Sequence, residues 1–284
     1  MTPNFSLLTG FLISGVIVLY SYKLGFLTFS GGIASTVVGT MVLGLGGLNW
    51  AIVLLWFFFS SSILSKIGEK EKDRLNLLWS KGNKRDAWQV LANGGVASLL
   101  VIGHKISPEP IWYFLFISTM AAVTADTWGT EIGILSKSSV HSILNFRKVP
   151  KGTSGGITLP GSSASLLGSL SIAVLGILSP FAPYEIKPET IVLVTLAGFS
   201  ASLVDSVAGS TIQSRYVCPV CSDITERKVH CNQNSSLKSG WKFINNDAVN
   251  FICSLFGSLF GYIFFPARIF PEGIFLLKNI YFII

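Results

Sequence analysis

Two aspartates stand at the ends of long apolar runs, where an acidic side chain is expensive. The first lies in Ala125-Asp126-Thr127-Trp128-Gly129-Thr130-Glu131-Ile132-Gly133, the second in Leu203-Val204-Asp205-Ser206-Val207-Ala208-Gly209-Ser210-Thr211-Ile212-Gln213. A carboxylate at the centre of a membrane helix costs about 2.5–3.5 kcal/mol on insertion scales, so it reads by default as a functional site. On an ideal helix Asp126 and Glu131 lie about 140° apart. They meet only if the helix breaks near Gly129, or each faces a different neighbour. Asp205, Gly209 and Gln213 share one helical stripe at i, i+4 and i+8. Ordinary membrane helix packing accounts for the small residues around them. It does not account for Asp205.

A basic, glycine-rich loop follows the first of these runs: Lys148-Val149-Pro150-Lys151-Gly152-Thr153-Ser154-Gly155-Gly156-Ile157-Thr158. Such a loop turns several N–H groups toward an anion, and a following helix N-terminus adds its dipole. It is not a G-x-x-x-x-G-K-[ST] loop, and a plain interfacial loop is the competing reading. Phosphate binding gains weight from the aspartates, which could hold Mg²⁺ on the phosphates. Two carboxamide clusters enter other runs. Asn245-Asn246-Asp247-Ala248-Val249-Asn250 carries one more polar residue than an N-cap needs, and Arg85, Gln89 and Asn93 form the other. Asn93, Asp126, Glu131, Asp205, Asp247 and Asn250 then share one membrane level. Oxygen donors without Cys or His suit a hard ion such as Mg²⁺. A Mg²⁺ site beside a basic loop suits a polyphosphate, with a partner substrate whose apolar tail lies in the bilayer.

Cys218-Pro219-Val220-Cys221 and His230-Cys231 form C-x-x-C-x8-H-C. Thiolates and imidazole suit structural zinc; a reversible disulfide or plain thiols compete. Adjacent His230 and Cys231 would strain to reach one ion, so three cysteines and an outside ligand are expected. Cys253 reads as packing.

These residues must be positioned by membrane helices. Of 284 residues 50% are hydrophobic and 12% charged, with a mean hydropathy of +0.60. Soluble domains carry about 25% charged residues. The apolar runs are continuous rather than alternating, which leaves helices, the elements that satisfy their own backbone in hydrocarbon. An all-α polytopic membrane protein of about seven or eight spans is expected, at 5–22, 31–48, 50–66, 88–103, 111–134, 162–180, 190–212 and 248–265. The first run has no basic flank or cleavage pattern and reads as a retained span rather than a signal. The short run in 266–284 is too brief to cross. Domains are expected as N-terminal helices 1–66, a catalytic membrane domain 67–265 with a cysteine loop at 214–246, and the tail 266–284.

Seventeen of the 21 Lys and Arg fall in one alternating set of loops. By the positive-inside rule that set is cytoplasmic: the cell membrane in a prokaryote, an organellar membrane in a eukaryote. The site residues lie at the same end. Basic residues scattered among short loops, despite the net +7, argue against nucleic acid. Asp126-Thr127 and Asp205-Ser206, each followed by Gly and a hydroxyl residue, are a faint parallel echo.

The segments Gln89-Val90-Leu91-Ala92-Asn93-Gly94, Asp126-Thr127-Trp128 with Glu131-Ile132-Gly133, Gly152 to Thr158, Val204-Asp205-Ser206 with Gly209 to Gln213, and Asn245 to Asn250 resemble, in order, the transmembrane protein 19 family. That family includes the plastid phytyl-phosphate kinase. The resemblance spans about residues 70–265. It implies phosphoryl transfer from a nucleoside triphosphate, with CTP favoured, to an isoprenyl monophosphate. On that reading Asp126, Glu131, Asp205 and Asp247 are catalytic, with Mg²⁺ on Asp126, Asp205 and Asp247. Nucleotide and substrate fall to Asn93, Lys148, Lys151, Gly152, Thr153, Ser154, Gly155, Gly156, Gln213, Asn246 and Asn250. The cysteine insertion is not general to the family and reads as structural rather than catalytic, with Cys218, Cys221, His230 and Cys231 its candidate zinc ligands. The same parts would serve a CTP-dependent cytidylyltransferase making a CDP-lipid. A cation-coupled transporter is the third reading, disfavoured by polar groups gathered at one face.

Overall fold

The computed structural model describes residues 6–69, 72, 82, 84–180, 182–184 and 186–265. Eight helices fall within them: α1 Leu7–Lys23, α2 Phe29–Met41, α3 Leu48–Lys66, α4 Ala87–Ile106, α5 Pro110–Leu135, α6 Leu159–Leu178, α7 Thr190–Thr211 and α8 Asn246–Phe264. Each expected span corresponds to one of them. The expected tail 266–284, Phe5 and most of the basic loop 70–83 lie outside the described residues.

Local chemistry explains where the helices start. Asp86 and Gln89 form a reciprocal capping box at α4, with both bonds 3.0 Å. Thr158 Oγ1 accepts the Gly161 N–H at α6, and Asn245 Oδ1 accepts the Ala248 N–H at α8, each at 3.0 Å. Such caps satisfy donors that a helix start leaves open. α2 runs into a π-helical turn, Val42–Gly46, and Gly47 at φ +82° reverses the chain into α3. This is the tight hairpin that the Gly-Gly-Leu-Asn sequence suggests.

Among the described residues, five segments are long and apolar enough to cross a bilayer: Phe29–Gly46, α3, α6, α7 and α8. The 26-residue α5 is the hub. From Tyr113 to Ala125 it is buried without interruption, and α3, α4, α6, α7 and α8 pack around it. A helix buried on all sides belongs to the core of its protein. Its neighbours approach through small residues. A β-carbon on Gly257 of α8 would stand 2.6 Å from Ala122 Cβ, and one on Gly198 of α7 would stand 2.7 Å from Ala121 Cβ. Close backbone approach of this kind replaces the hydrophobic drive that lipid removes. Toward the start of α5, Trp50 packs on Tyr113 and Phe116 with ring centroids 5.0 and 4.8 Å apart. Tyr113 also donates to the Gly176 carbonyl at 3.0 Å, so that end is closed by aromatic packing.

Seven short strands, unanticipated from the sequence, order the loops at the other end. β1 His141–Ser142 pairs with β2 Gly156–Ile157 across the glycine-rich loop. Between α7 and α8, β3 Arg215–Val217 is flanked by β4 Ile224–Thr225 and β7 Ser236–Ser239, while β5 Val229–His230 and β6 Gln233–Asn234 form a hairpin.

The packing at α5 makes a direct prediction. Gly257→Leu overfills the α5–α8 contact and should cost about 1–3 kcal/mol, seen as a lower melting temperature in detergent. Gly15→Ala, where a β-carbon meets open space, should leave it unchanged or slightly raised.

Candidate functional site

A cavity of about 300 Å³ opens at the loop-bearing end, between the last turns of α5 and α7 and the first turns of α4, α6 and α8. Asp126 on α5 and Asp205 on α7 face each other within side-chain hydrogen-bonding range. Asp205 Oδ1 is sealed from solvent and has no hydrogen-bond partner among the described residues. Two carboxylates held this close need a cation or a proton between them. The site is therefore built to receive positive charge.

α5 continues unbroken through Gly129 to Leu135, so the 140° separation of Asp126 and Glu131 is kept. Each faces a different neighbour. Asp126 turns toward α7, while Glu131 turns toward α3, where it accepts from Ser65 Oγ and Lys72 Nζ, both at 2.5 Å. Lys72 is 1% exposed, and it also donates to the Leu64 carbonyl at 2.8 Å at the end of α3. Glu131 is thus neutralised by a buried cation, unlike the aspartate pair. Nothing in the sequence distinguishes Lys72 from the other basic residues of its loop.

The glycine-rich loop forms the opposite wall, with Lys151 and Gly152 to Gly156 all lining the cavity. Gly155 has φ +74°, and a β-carbon there would collide with Ser206 and Ser210 of α7. Gly209 of α7 completes this contact, since its own β-carbon would lie 3.2 Å from the Gly155 nitrogen. The glycines of loop and helix are there for one another. Lys151 Nζ donates to the Ser136 carbonyl at 2.9 Å. Asn93, Gln213, Asn246 and Asn250 line the cavity as well. Lys148 and Asp247 do not: Lys148, the first residue of the loop, is exposed, and Asp247 is buried in the first turn of α8.

Sequence reasoning passed over Glu226, which projects from the extramembrane module into the cavity. Its Oε1 accepts from Gln213 Nε2 at 2.8 Å and from Ser154 Oγ at 3.1 Å. A glutamate in a polar loop carries no pattern that marks it.

A second, apolar groove of about 80 Å³ runs among α1, α2, α3 and α4, lined by residues such as Ile17, Val18, Val38, Leu54 and Phe58. Arg85, Gln89 and Asn93 line both spaces. Arg85 bonds Ser62 Oγ at 3.0 Å and lies 5.5 Å over the Phe57 ring, so a cation marks the junction.

In the module, one ligand atom from each of Cys218, Cys221, His230 and Cys231 falls within 4.8 Å of the others. His230 Nδ1 lies 3.5 Å from Cys221 Sγ and 3.4 Å from Cys231 Sγ. Adjacency does not prevent convergence as expected, because Cys231 and Asn232 adopt φ +50° and +58° and turn both side chains to one side. The Cys221 N–H and further donors around the Cys218 sulfur bring that thiol down to about 6, against opposing burial. Cys253 is buried in α8, as expected of packing.

Residues 12–258 match the family described as "Integral membrane protein DUF92". The chain belongs to that family. This DUF92 protein is 32% identical over 280 residues to "Protein PGR" of Arabidopsis thaliana, covering 90% of the chain and 95% of the relative. An uncharacterized membrane protein of Methanocaldococcus jannaschii is 28% identical over 260 residues, covering 90% and 92%. "Protein VTE6, chloroplastic" of Arabidopsis thaliana is 27% identical over 239 residues, covering 82% of the chain and 63% of that protein. No solved structure matches the chain. The membrane-spanning class read from the DUF92 chain's sequence thus holds.

The Lys72–Glu131 pair gives a test of the site's architecture. Glu131→Gln strands the buried Lys72 cation and should cost about 3–5 kcal/mol; Lys72→Met leaves Glu131, 18% exposed on the cavity, and should cost less. The double variant should recover much of that loss, as measured by melting temperature in detergent.

Proposed function

We propose that this protein is a Mg²⁺-dependent isoprenyl-phosphate kinase, transferring the γ-phosphoryl group of a nucleoside triphosphate, CTP by preference, to a polyisoprenyl monophosphate. The observation that carries this reading is the junction at Arg85, Gln89 and Asn93. There a polar cavity meets an apolar groove between membrane helices. An acceptor with a phosphate head and a hydrocarbon tail matches both halves at once. The family resemblance supports the same class of substrate, and membership in an integral membrane family with plastid relatives agrees with a lipid-related role.

The donor set fits Mg²⁺. Asp126 and the unpartnered Asp205 Oδ1 supply hard oxygens, and among the described residues no sulfur or imidazole lines the cavity, which suits this ion. Bound there, Mg²⁺ would neutralise charge on the nucleotide phosphates. Asp247 lies off the cavity lining, so Asp126 and Asp205 are the principal ligands in this proposal. Lys151 and the N–H groups of Gly152 to Gly156 hold the β- and γ-phosphates, and Asn246, Asn250 and Gln213 bind the remainder of the nucleotide. Arg85 orients the acceptor phosphate.

An acceptor oxygen forms the new P–O bond as the bond between the γ-phosphorus and the β–γ bridging oxygen breaks. The electron pair leaves with the nucleoside diphosphate. A phosphate monoester is already anionic at neutral pH, so no general base is needed. Positioning and charge neutralisation are the protein's contribution. We assign the cavity to the cytoplasmic face, or its organellar equivalent, on the strength of the Lys and Arg distribution.

The assay is purified protein with Mg²⁺, labelled CTP or ATP, and phytyl or geranylgeranyl phosphate. The expected product is the isoprenyl diphosphate with nucleoside diphosphate release. Asp126→Asn and Asp205→Asn should each lower kcat by at least about 100-fold, with the fold retained. Pyrophosphate release and a CDP-lipid would replace the kinase by a cytidylyltransferase. No product from any pairing would overturn the proposal.

A further inference from the structure

We propose that Cys218, Cys221, His230 and Cys231 hold one Zn²⁺, and that this centre keeps Glu226 braced against the glycine-rich loop of the membrane cavity. Tetrahedral zinc has Zn–S and Zn–N bonds of about 2.3 and 2.0 Å, which set an S···N edge of about 3.5 Å. The two sulfur-to-Nδ1 separations here are 3.5 and 3.4 Å. All four ligand atoms lie within 4.8 Å of one another, so a small closure of the cluster brings them onto one ion. A disulfide would employ two of the three thiols and leave the convergence of the third thiol and the imidazole without a cause.

Two further features call for a staple. Residues 213–245 hold few buried side chains, chiefly Gln213, Ser214, Tyr216, Cys218 and Thr225. A segment of fewer than about 40 residues seldom folds on so small a core without metal or disulfide. In addition, Ser222, next to Cys221, has positive φ, which costs a non-glycine residue about 1–3 kcal/mol unless its surroundings enforce it. Metal ligation at Cys221 supplies that constraint, whereas Cys231 and Asn232, also at positive φ, form the two-residue turn of the β5–β6 hairpin, which favours it.

The link to the cavity is short. Glu226 lies between the ligands Cys221 and His230, just past β4 and before β5. Its Oε1 accepts from Ser154 in the loop and from Gln213 at the end of α7. Zinc therefore fixes both flanks of the residue that ties the module to the loop. Glu226 is a positioning residue: it acts on the nucleotide through Ser154 and the loop backbone. This last step rests on the kinase reading; zinc binding and loop bracing do not.

The full chain is purified in detergent and its metal measured by inductively coupled plasma mass spectrometry. One zinc per chain is expected, and Cys221→Ser or Cys231→Ser should lose it. A wild-type protein without zinc, with its thiols free or oxidised, would overturn the site. Bracing is read by limited trypsin cleavage after Lys151. Chelation and Glu226→Ala should each speed cleavage about tenfold, while Glu226→Ala retains its zinc. Glu226→Gln, whose amide oxygen still accepts both bonds, should behave as wild type. Unchanged cleavage in Glu226→Ala and in stripped protein would overturn the coupling. In active protein, Glu226→Ala should raise KM for the nucleotide about tenfold with little change in kcat, and Glu226→Gln should restore it. Absence of activity in every variant, wild type included, would sink the kinase reading while the zinc and cleavage results stand.

Discussion

Two carboxylates facing each other inside a helical bundle set the terms for everything around them. Asp126 and Asp205 come from different helices, and two cations that line the same cavity, Lys72 and Arg85, make their contacts elsewhere. Lys72 serves Glu131, and Arg85 serves Ser62 and the faces of Phe57 and Phe58. The pair is left with a deficit of positive charge that water alone compensates poorly at this depth. A proton shared between the two carboxylates, or a cation held by them, would supply that charge. Helix packing, loop placement and the distribution of the other charges can all be read as consequences of keeping that arrangement open on one side only.

Bringing α7 close enough to α5 requires small residues along the crossing. Gly198 meets Ala121, and Ser202 and Ser206 continue the narrow face toward the cavity. The same narrow face then accepts the glycine-rich loop, because Gly209 and Gly155 leave no side chain between the two backbones. One stripe of α7 therefore does two jobs in succession, packing against a helix and then against a loop. The opposite end of the bundle is filled by Trp50, Tyr113 and Phe116. Polar access thus exists at the loop-bearing end, which suits chemistry at one interface better than alternating access through the membrane.

Much of this was legible in the sequence. An intramembrane aspartate has a cost that no bland reading covers, so Asp126 and Asp205 stood out by type and depth alone. The run Lys151 to Gly156, Asn246 and Asn250 followed because they lie at the same level, and they do line one cavity. Lys148 and Asp247 were expected by the same logic and lie off the cavity. Sequence level gives height along the membrane but not direction around a helix end or within a loop. Gln89 shows a related ambiguity: it caps α4 and lines both spaces at once.

The sequence by itself determined the membrane class, the helices and the end at which polar residues gather, because hydropathy and length act locally along the chain. It left open whether Asp126 and Glu131 share a partner. Only the tertiary structure decided that α5 stays straight, with one acid turned to Asp205 and the other to Lys72. It alone disclosed the apolar groove joining the cavity at Arg85, and Glu226 reaching in from the cysteine module. Each of these depends on contacts between residues distant in the chain, 59 positions for Lys72 and Glu131 and 72 for Ser154 and Glu226, and on rotation about helix axes. A one-dimensional pattern carries no information on either until packing fixes them.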